Sequence, residues 1–261
     1  MMADSSAEVS KALWFRTWPA RGEATARLVC FPHAGVGASL CNGWSESLPD
    51  NVELLAVQLP GRENRMQEAP LREFDPLSKA LHKILPNYLD LPMGLFGYSF
   101  GGMIAFEVAR GMVEYGAVPA HLFVGACAAP QVHTVPDPIS ELPDEEFLGQ
   151  IQANFGGIPA QIAGQPELLQ LMLPALRADI HASETYRYTD GEPLPLPISA
   201  LGGSDDPMIS MSDMAAWKEQ TSERFRHRVY AGGHFFIRER FGQVLRYVGE
   251  QLNDYVAAAM A

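Results

Sequence analysis

The feature that most constrains this chain is a series of short apolar runs, each closed by glycine, proline or a small polar cluster. RLVCFP (27–32), VELLAVQL (52–59), PMGLFGYS (92–99), HLFVGACAA (121–129), LPISALGG (196–203) and FRHRVYAG (225–232) are read as such runs, nearly continuous in apolar character. A strand exposed on one face alternates polar with apolar residues, whereas a strand covered on both faces is apolar almost throughout. Helical spacing lies between several of the runs. In GMIAFEVARGMVEYG, Ile104, Val108 and Met112 recur every four residues beside Ala105 and Ala109, giving one apolar face closed by Gly116. The expected fold class is therefore α/β, with a mostly parallel central sheet flanked by helices.

Residues 142–188 interrupt this alternation. DEEFLGQIQANF, then Gly156, Gly157 and Pro159, then PELLQLMLPALRADI predict two or three helices joined by glycine and proline punctuation, with no strand. Leu168, Leu169, Leu171, Met172 and Leu173 leave the second helix little polar surface. Such a helix is either buried against the sheet or lines something, as a lid over a pocket would. With no internal repeat, charge block or low-complexity linker, residues 1–261 are read as one domain carrying a helical lid insertion at about 142–188.

Composition narrows the function classes. The chain is 47% hydrophobic, enough for a sizeable core, and 19 Lys and Arg against 31 Asp and Glu give a formal net charge of −12. A nucleic-acid partner would meet a repulsive field and is not expected. The first residues hold no apolar stretch of signal-peptide length, and no later stretch approaches the roughly 18 apolar residues of a membrane span. Cys30, Cys41 and Cys127 are odd in number and lie outside any CxxC or Cys/His ligand pattern, so they read as reduced core thiols in a cytoplasmic protein. No metal-ligand cluster or nucleotide-binding loop is present in the sequence, and no cofactor is expected.

Gly97-Tyr98-Ser99-Phe100-Gly101-Gly102 follows one apolar run and opens the amphipathic helix, the setting in which a serine sits on a sharp strand-to-helix turn. A serine hydroxyl is a poor nucleophile at neutral pH and needs a base, which in turn needs an orienting carboxylate. Of seven histidines, His234 is favoured because it follows Gly232-Gly233 after the last apolar run, at the carboxyl edge of the expected sheet. The carboxylate belongs between the two in chain order. Asp205 and Asp206 both qualify; Asp206, three residues beyond the glycine that ends the run, is preferred. Backbone amides must hold the oxyanion of a tetrahedral intermediate. Phe100 N–H follows the nucleophile, and the loop Phe31-Pro32-His33-Ala34-Gly35 supplies a second donor, assigned to Ala34 N–H.

CFPHAG, VQLPGRE, GYSFGG, LRADI with Glu184 and Tyr186 after it, GGSDDP, Trp217 and GGHFF together resemble the type II thioesterases, free-standing α/β-hydrolases that accompany modular polyketide and non-ribosomal peptide synthetases. The resemblance runs over about 14–248. It implies an α/β-hydrolase fold, a triad of Ser99, Asp206 and His234, a mobile lid within 142–188, and acyl thioesters on the phosphopantetheine arms of acyl or peptidyl carrier proteins as substrates. Two positions depart from the family's pattern. Tyr98 stands where many members have histidine, and Val36 replaces a second glycine in the loop bordering the pocket's mouth.

A small-molecule carboxylesterase or lipase, and a non-catalytic binding protein on the same fold, are the competing functions. Carrier proteins are usually acidic, as this chain is, so docking must use a local arginine patch or an apolar surface; Arg62, Arg65 and Arg177 are the candidate arginines, and each also reads as an ordinary solvated or structurally paired arginine.

Overall fold

A computed structural model describes residues 13–134, 137–156 and 164–260. Seven strands form one sheet in the order β1-β3-β2-β4-β5-β6-β7. They are β1 (Phe15–Trp18), β2 (Ala26–Phe31), β3 (Val52–Val57), β4 (Met93–Tyr98), β5 (His121–Gly125), β6 (Ile198–Gly203) and β7 (Phe225–Tyr230). All neighbours pair in parallel except β1, which runs antiparallel to β3 with Phe15 opposite Val57.

The central strands β2, β4 and β5 are buried at every position. Their side chains alternate between two cores because successive residues point to opposite faces. Val29, Leu95 and Val124 join one core, while Leu28, Phe96 and Phe123 join the other. Helices α1 (Phe74–Ile84) and α2 (Phe100–Glu114) cover the first face, with Leu77, Leu81, Ile104 and Val108 at fourfold spacing. Helix α6 (Ile237–Met260) covers the second through Val244, Leu245, Val248 and Leu252. Period two in the strands and period near four in the helices thus meet in both layers, which is why the strands read as continuous apolar runs.

Two edge strands depart from that pattern. β1 was not among the apolar runs, because only Phe15 of its four residues is buried. FRHRVY reads as part of a nearly continuous apolar run, yet β7 has four successive exposed residues, Arg226 to Val229, since one of its sides has no neighbouring strand.

Between β5 and β6 the described residues form α3 (Asp144–Phe155) and α4 (Pro166–Thr185) and no strand, as the sequence predicts; Gly157 and Pro159 lie outside the described residues. α3 and α4 make a small core of their own from Phe147, Ile151 and Leu173. α4 is buried at one end and more open at the other. Ala182 near its end is buried in the core beneath the sheet, whereas Leu173 packs on α3 and Leu171 is 52% exposed. Helix α5 (Met211–Ala215) follows β6. Cys30, Cys41 and Cys127 are free and buried. No described helix is long and apolar enough to cross a membrane.

One polar group is built into the core below α6. His121, the first residue of β5, stacks on Phe123 with ring centroids 4.1 Å apart, and its Nε2 lies 2.9 Å from Ser199 Oγ, which lies 2.9 Å from Tyr247 OH. Burial pushes the His121 imidazole down to about 3. In the unfolded chain it titrates near 6.5. Below about pH 6.5 the unfolded state therefore takes up a proton that the folded state refuses, and stability falls with pH by up to about 1.4 kcal/mol per unit for that proton. The denaturant midpoint of the wild type is expected to drop between pH 7 and 4.5. His121→Gln should show a shallower drop, and equal slopes would show that His121 does not contribute.

Candidate active site

The carboxyl ends of β2, β4, β6 and β7 bring together four loops, and each carries one of the residues singled out above. Ser99 follows β4 immediately. Its φ of 53° and ψ of −121° lie outside the usual L-residue regions, a local cost of about 1–3 kcal/mol. Its backbone is held in place by the Ser99 amide donating to the Gly125 carbonyl at 2.7 Å and the Gly102 amide donating to the Ser99 carbonyl at 2.8 Å. Close approach explains the glycine two residues on: a Cβ on Gly101 would lie 2.0 Å from the Phe31 carbonyl oxygen of β2.

His234 sits in the turn after β7, with its side chain 2% exposed. Its Nε2 is 3.0 Å from Ser99 Oγ, and its Nδ1 is 3.0 Å from Asp206 Oδ2. A carboxylate only accepts, so Nδ1 carries the proton and Nε2 is left to accept from the serine hydroxyl. Asp206 Oδ1 accepts from the Met208 and Ile209 amides at 2.9 and 3.2 Å, which fixes the carboxylate's rotation. Of the two adjacent aspartates, Asp206 is thus the one that reaches the imidazole. Asp205 is exposed and accepts from Ser204 Oγ instead.

Tyr98 sits where the resemblance leads one to expect histidine in many members. It is buried, and its hydroxyl donates to the His234 carbonyl at 2.5 Å. Phe155 from α3 meets the His234 ring at 5.1 Å between centroids, so the helical insertion reaches the imidazole.

These side chains open on a cavity of about 420 Å³, within the range of small-molecule sites. Its far wall is apolar and comes from the insertion: Leu148 and Ile151 on α3, and Met172, Leu173, Leu176 and Ile180 on α4. Ala34 and Phe100 border the same cavity as Ser99 and His234. In the loop after β2, the Gly35 amide is engaged by Asp179 Oδ2 at 2.8 Å and the Val36 amide by the His33 carbonyl at 3.3 Å. Among the described residues, no group of three or more His, Cys, Asp or Glu side chains is arranged to hold a metal ion.

The three arginines offered for docking need correction. Arg62 is 5% exposed and ion-paired with the buried Asp179 of α4. Arg65 is equally buried at 5%, bonded to Glu68 and stacked over Trp14. Arg177 donates to the Ser140 and Leu142 carbonyls and to Asp144, binding the start of α3 to α4. Each of these guanidiniums donates three hydrogen bonds to acceptors in the turns around VQLPGRE and in residues 140–179.

Sequence reasoning passed over two groups at the site. His33 is buried against Phe235, at 4.9 Å between ring centroids, and burial pushes it down to about 3, so it is neutral. Asp179, which also lies between Ser99 and His234 in chain order, pairs with Arg62. The signal was present in the ALRADI string: a carboxylate between small and apolar residues on a covered helix face must have a cation nearby.

A family model described as a thioesterase domain matches residues 26–252. The gramicidin S biosynthesis protein GrsT of Aneurinibacillus migulanus is 35% identical over 94% of this chain and 95% of its own length. Thioesterase PikA5 of Streptomyces venezuelae is 35% identical over 96% of this chain and 89% of its own. Among solved structures, the type II thioesterase BorB from the borrelidin biosynthetic cluster superposes with a TM-score of 0.82 at 36% identity, covering 92% of this chain and 97% of that one.

The packing at the turn yields a direct test. Gly101→Ala places a methyl group into the Phe31 carbonyl, and backbone on both sides has no room to shift. A loss of about 3 kcal/mol or more is expected, read as a large fall in Tm or as insoluble protein. A variant as stable as wild type would show that the close approach is not real.

Proposed function

The chain belongs to the thioesterase family, and from that membership we propose that it hydrolyses acyl thioesters held on the phosphopantetheine arms of acyl or peptidyl carrier proteins in polyketide or non-ribosomal peptide assembly. Its architecture is that of the α/β-hydrolases. The observation that carries the proposal is the hydrogen-bonded line from Ser99 through His234 to Asp206, at 3.0 Å for each step, at the base of an apolar cavity. Ser99 is the nucleophile, His234 the base and Asp206 its orienter.

In the first half-reaction His234 Nε2 takes the Ser99 proton as Oγ attacks the thioester carbonyl. The Ala34 and Phe100 amides hold the resulting oxyanion. The Gly35 and Val36 amides of that loop are engaged elsewhere, and Ala34 borders the cavity together with Ser99. Collapse breaks the carbon–sulfur bond, the carrier's thiol leaves, and the acyl group stays on Ser99. Thiols ionise near 8.5, so the leaving group needs less protonation than an alkoxide would. In the second half His234 deprotonates water, which attacks the acyl-enzyme and frees the acid, and the proton returns to Ser99.

The apolar wall of α3 and α4 suits an acyl chain. We read residues 142–188 as a lid insertion on a single domain, since the insertion has its own small core and reaches the His234 ring through Phe155. The unpaired thiols favour the cytoplasm as its location. With a net charge of −12 and the candidate arginines committed internally, attraction between whole molecules does not explain carrier binding.

Ser99→Ala should lower kcat by about 10³-fold or more while leaving Tm near wild type. Asp206→Asn should lower it by about 10²–10⁴-fold, and Asp205→Asn should stay within about twofold. The deciding measurement is kcat/KM for one acyl group presented on a carrier protein, on a short thiol and as a simple ester. The carrier-bound form is expected to be preferred; preference for the ester would make this a carboxylesterase. Failure of a fluorophosphonate to label Ser99 would make it a binding protein.

A further inference from the structure

Asp179 lies outside the line from Ser99 to Asp206, yet it is fully buried and touches the loop that carries Ala34. On the basis of the oxyanion assignment above, we propose that Asp179 is a positioning residue: with Arg62 it fixes the Ala34–Gly35 peptide, so that the oxyanion donor is in place only when helix α4 is seated.

The contacts form a continuous path. Arg62 leaves the turn after β3, where its Nε donates to the Pro60 carbonyl at 3.2 Å. Its guanidinium grips both oxygens of Asp179, with Nη2 donating to Oδ1 at 2.9 Å and Nη1 donating to Oδ2. Oδ2 then accepts the Gly35 amide at 2.8 Å. The other end of the same peptide is also held, because the Ala34 carbonyl accepts from His33 Nδ1 at 3.1 Å. His33 is neutral, and a carbonyl cannot donate, so Nδ1 bears the imidazole's single proton. A peptide plane pinned at both ends fixes Ala34 Cα, and the preceding plane, which carries the Ala34 N–H, is held at its other end by the His33 carbonyl accepting from the Val36 amide at 3.3 Å.

A second contact joins the same partners independently of charge. Gly35 has a φ of +76°, and a Cβ there would lie 2.9 Å from Leu176 Cδ1, one turn before Asp179 on α4. α4 therefore rests on the loop with an apolar side chain and bonds to it with a carboxylate. The same helix lines the cavity through Leu173, Leu176 and Ile180. Displacing α4 would remove the acceptor of a buried amide and free the loop to turn, which would misdirect its neighbour. An acyl chain that packs against α4 therefore helps set the donor that its own carbonyl requires. Closure that completes a catalytic constellation is a general way to couple substrate fit to rate.

Asp179→Asn removes the charge but leaves Arg62 buried without its counter-ion, so this variant can fail to fold. R62L/D179L avoids that, since a buried ion pair can often be replaced by apolar residues of similar size without loss of stability. Each folded variant would be compared with wild type on a small acyl thioester, and for affinity towards an alkyl boronic acid, whose adduct with Ser99 places an oxygen where the oxyanion forms. The expected result is a fall in kcat of about tenfold to a hundredfold, KM within about threefold, and boronate affinity reduced in step with kcat. The acid limb of the pH–kcat/KM profile, set by the base, should not move.

A folded R62L/D179L variant with kcat within twofold of wild type would overturn the proposal. So would a fall in kcat with boronate affinity unchanged, or a shifted acid limb, which would place the effect on His234. Those results leave the thioesterase assignment standing. Wild-type enzyme inert towards both thioester and boronate would instead remove the assignment on which the proposal rests.

Discussion

Where α2 begins, the backbone at Gly101 runs against the Phe31 carbonyl so closely that a methyl group would overlap it. This contact sets the separation between the ends of β2 and β4, and so between the loop bearing Ala34 and the turn bearing Ser99. The unusual backbone at Ser99 follows from it, because a chain leaving a central strand and entering a helix across a neighbouring strand has no ordinary conformation available at the corner. Bonds to Gly125 and Gly102 hold that corner in place. The remaining parts of the site are brought to it by β6 and β7, which lie beyond β5 in the same sheet.

Charge is handled locally in this molecule. The chain carries a formal net charge of −12, and Arg62, Arg65 and Arg177 each turn to a carboxylate within the protein. Burying an ion pair is costly unless all its hydrogen-bonding groups are satisfied. Arg62 and Asp179 meet that condition through Pro60, Gly35 and each other. The interior near the cavity is consequently polar in a few fixed places and apolar elsewhere, so what enters is selected chiefly by shape.

Much of this was legible in the sequence. The central strands read clearly because each is apolar on both faces, and Ser99 and His234 stood out because glycines mark the sharp turns around them. The choice between Asp205 and Asp206 rested on spacing alone, and the geometry shows why the spacing matters: one residue of difference turns the carboxylate from solvent to the imidazole. Edge strands were less legible. β1 has one buried residue of four, and β7 exposes most of its side chains, so neither carries a two-sided pattern. The arginines could not be decided between docking and internal pairing for a different reason. A charged side chain in a loop looks solvated until its distant partner is known, and Arg62 finds its partner 117 residues away.

The core between α3 and α4 shares no side chain with the two that sandwich the sheet. Its buried side chains can change without altering a residue of either scaffold core. Cargo preference in such an enzyme can therefore drift between lineages at little cost to foldability, and a protein engineer could exchange this module between relatives as long as the aspartate that meets Arg62 travels with it.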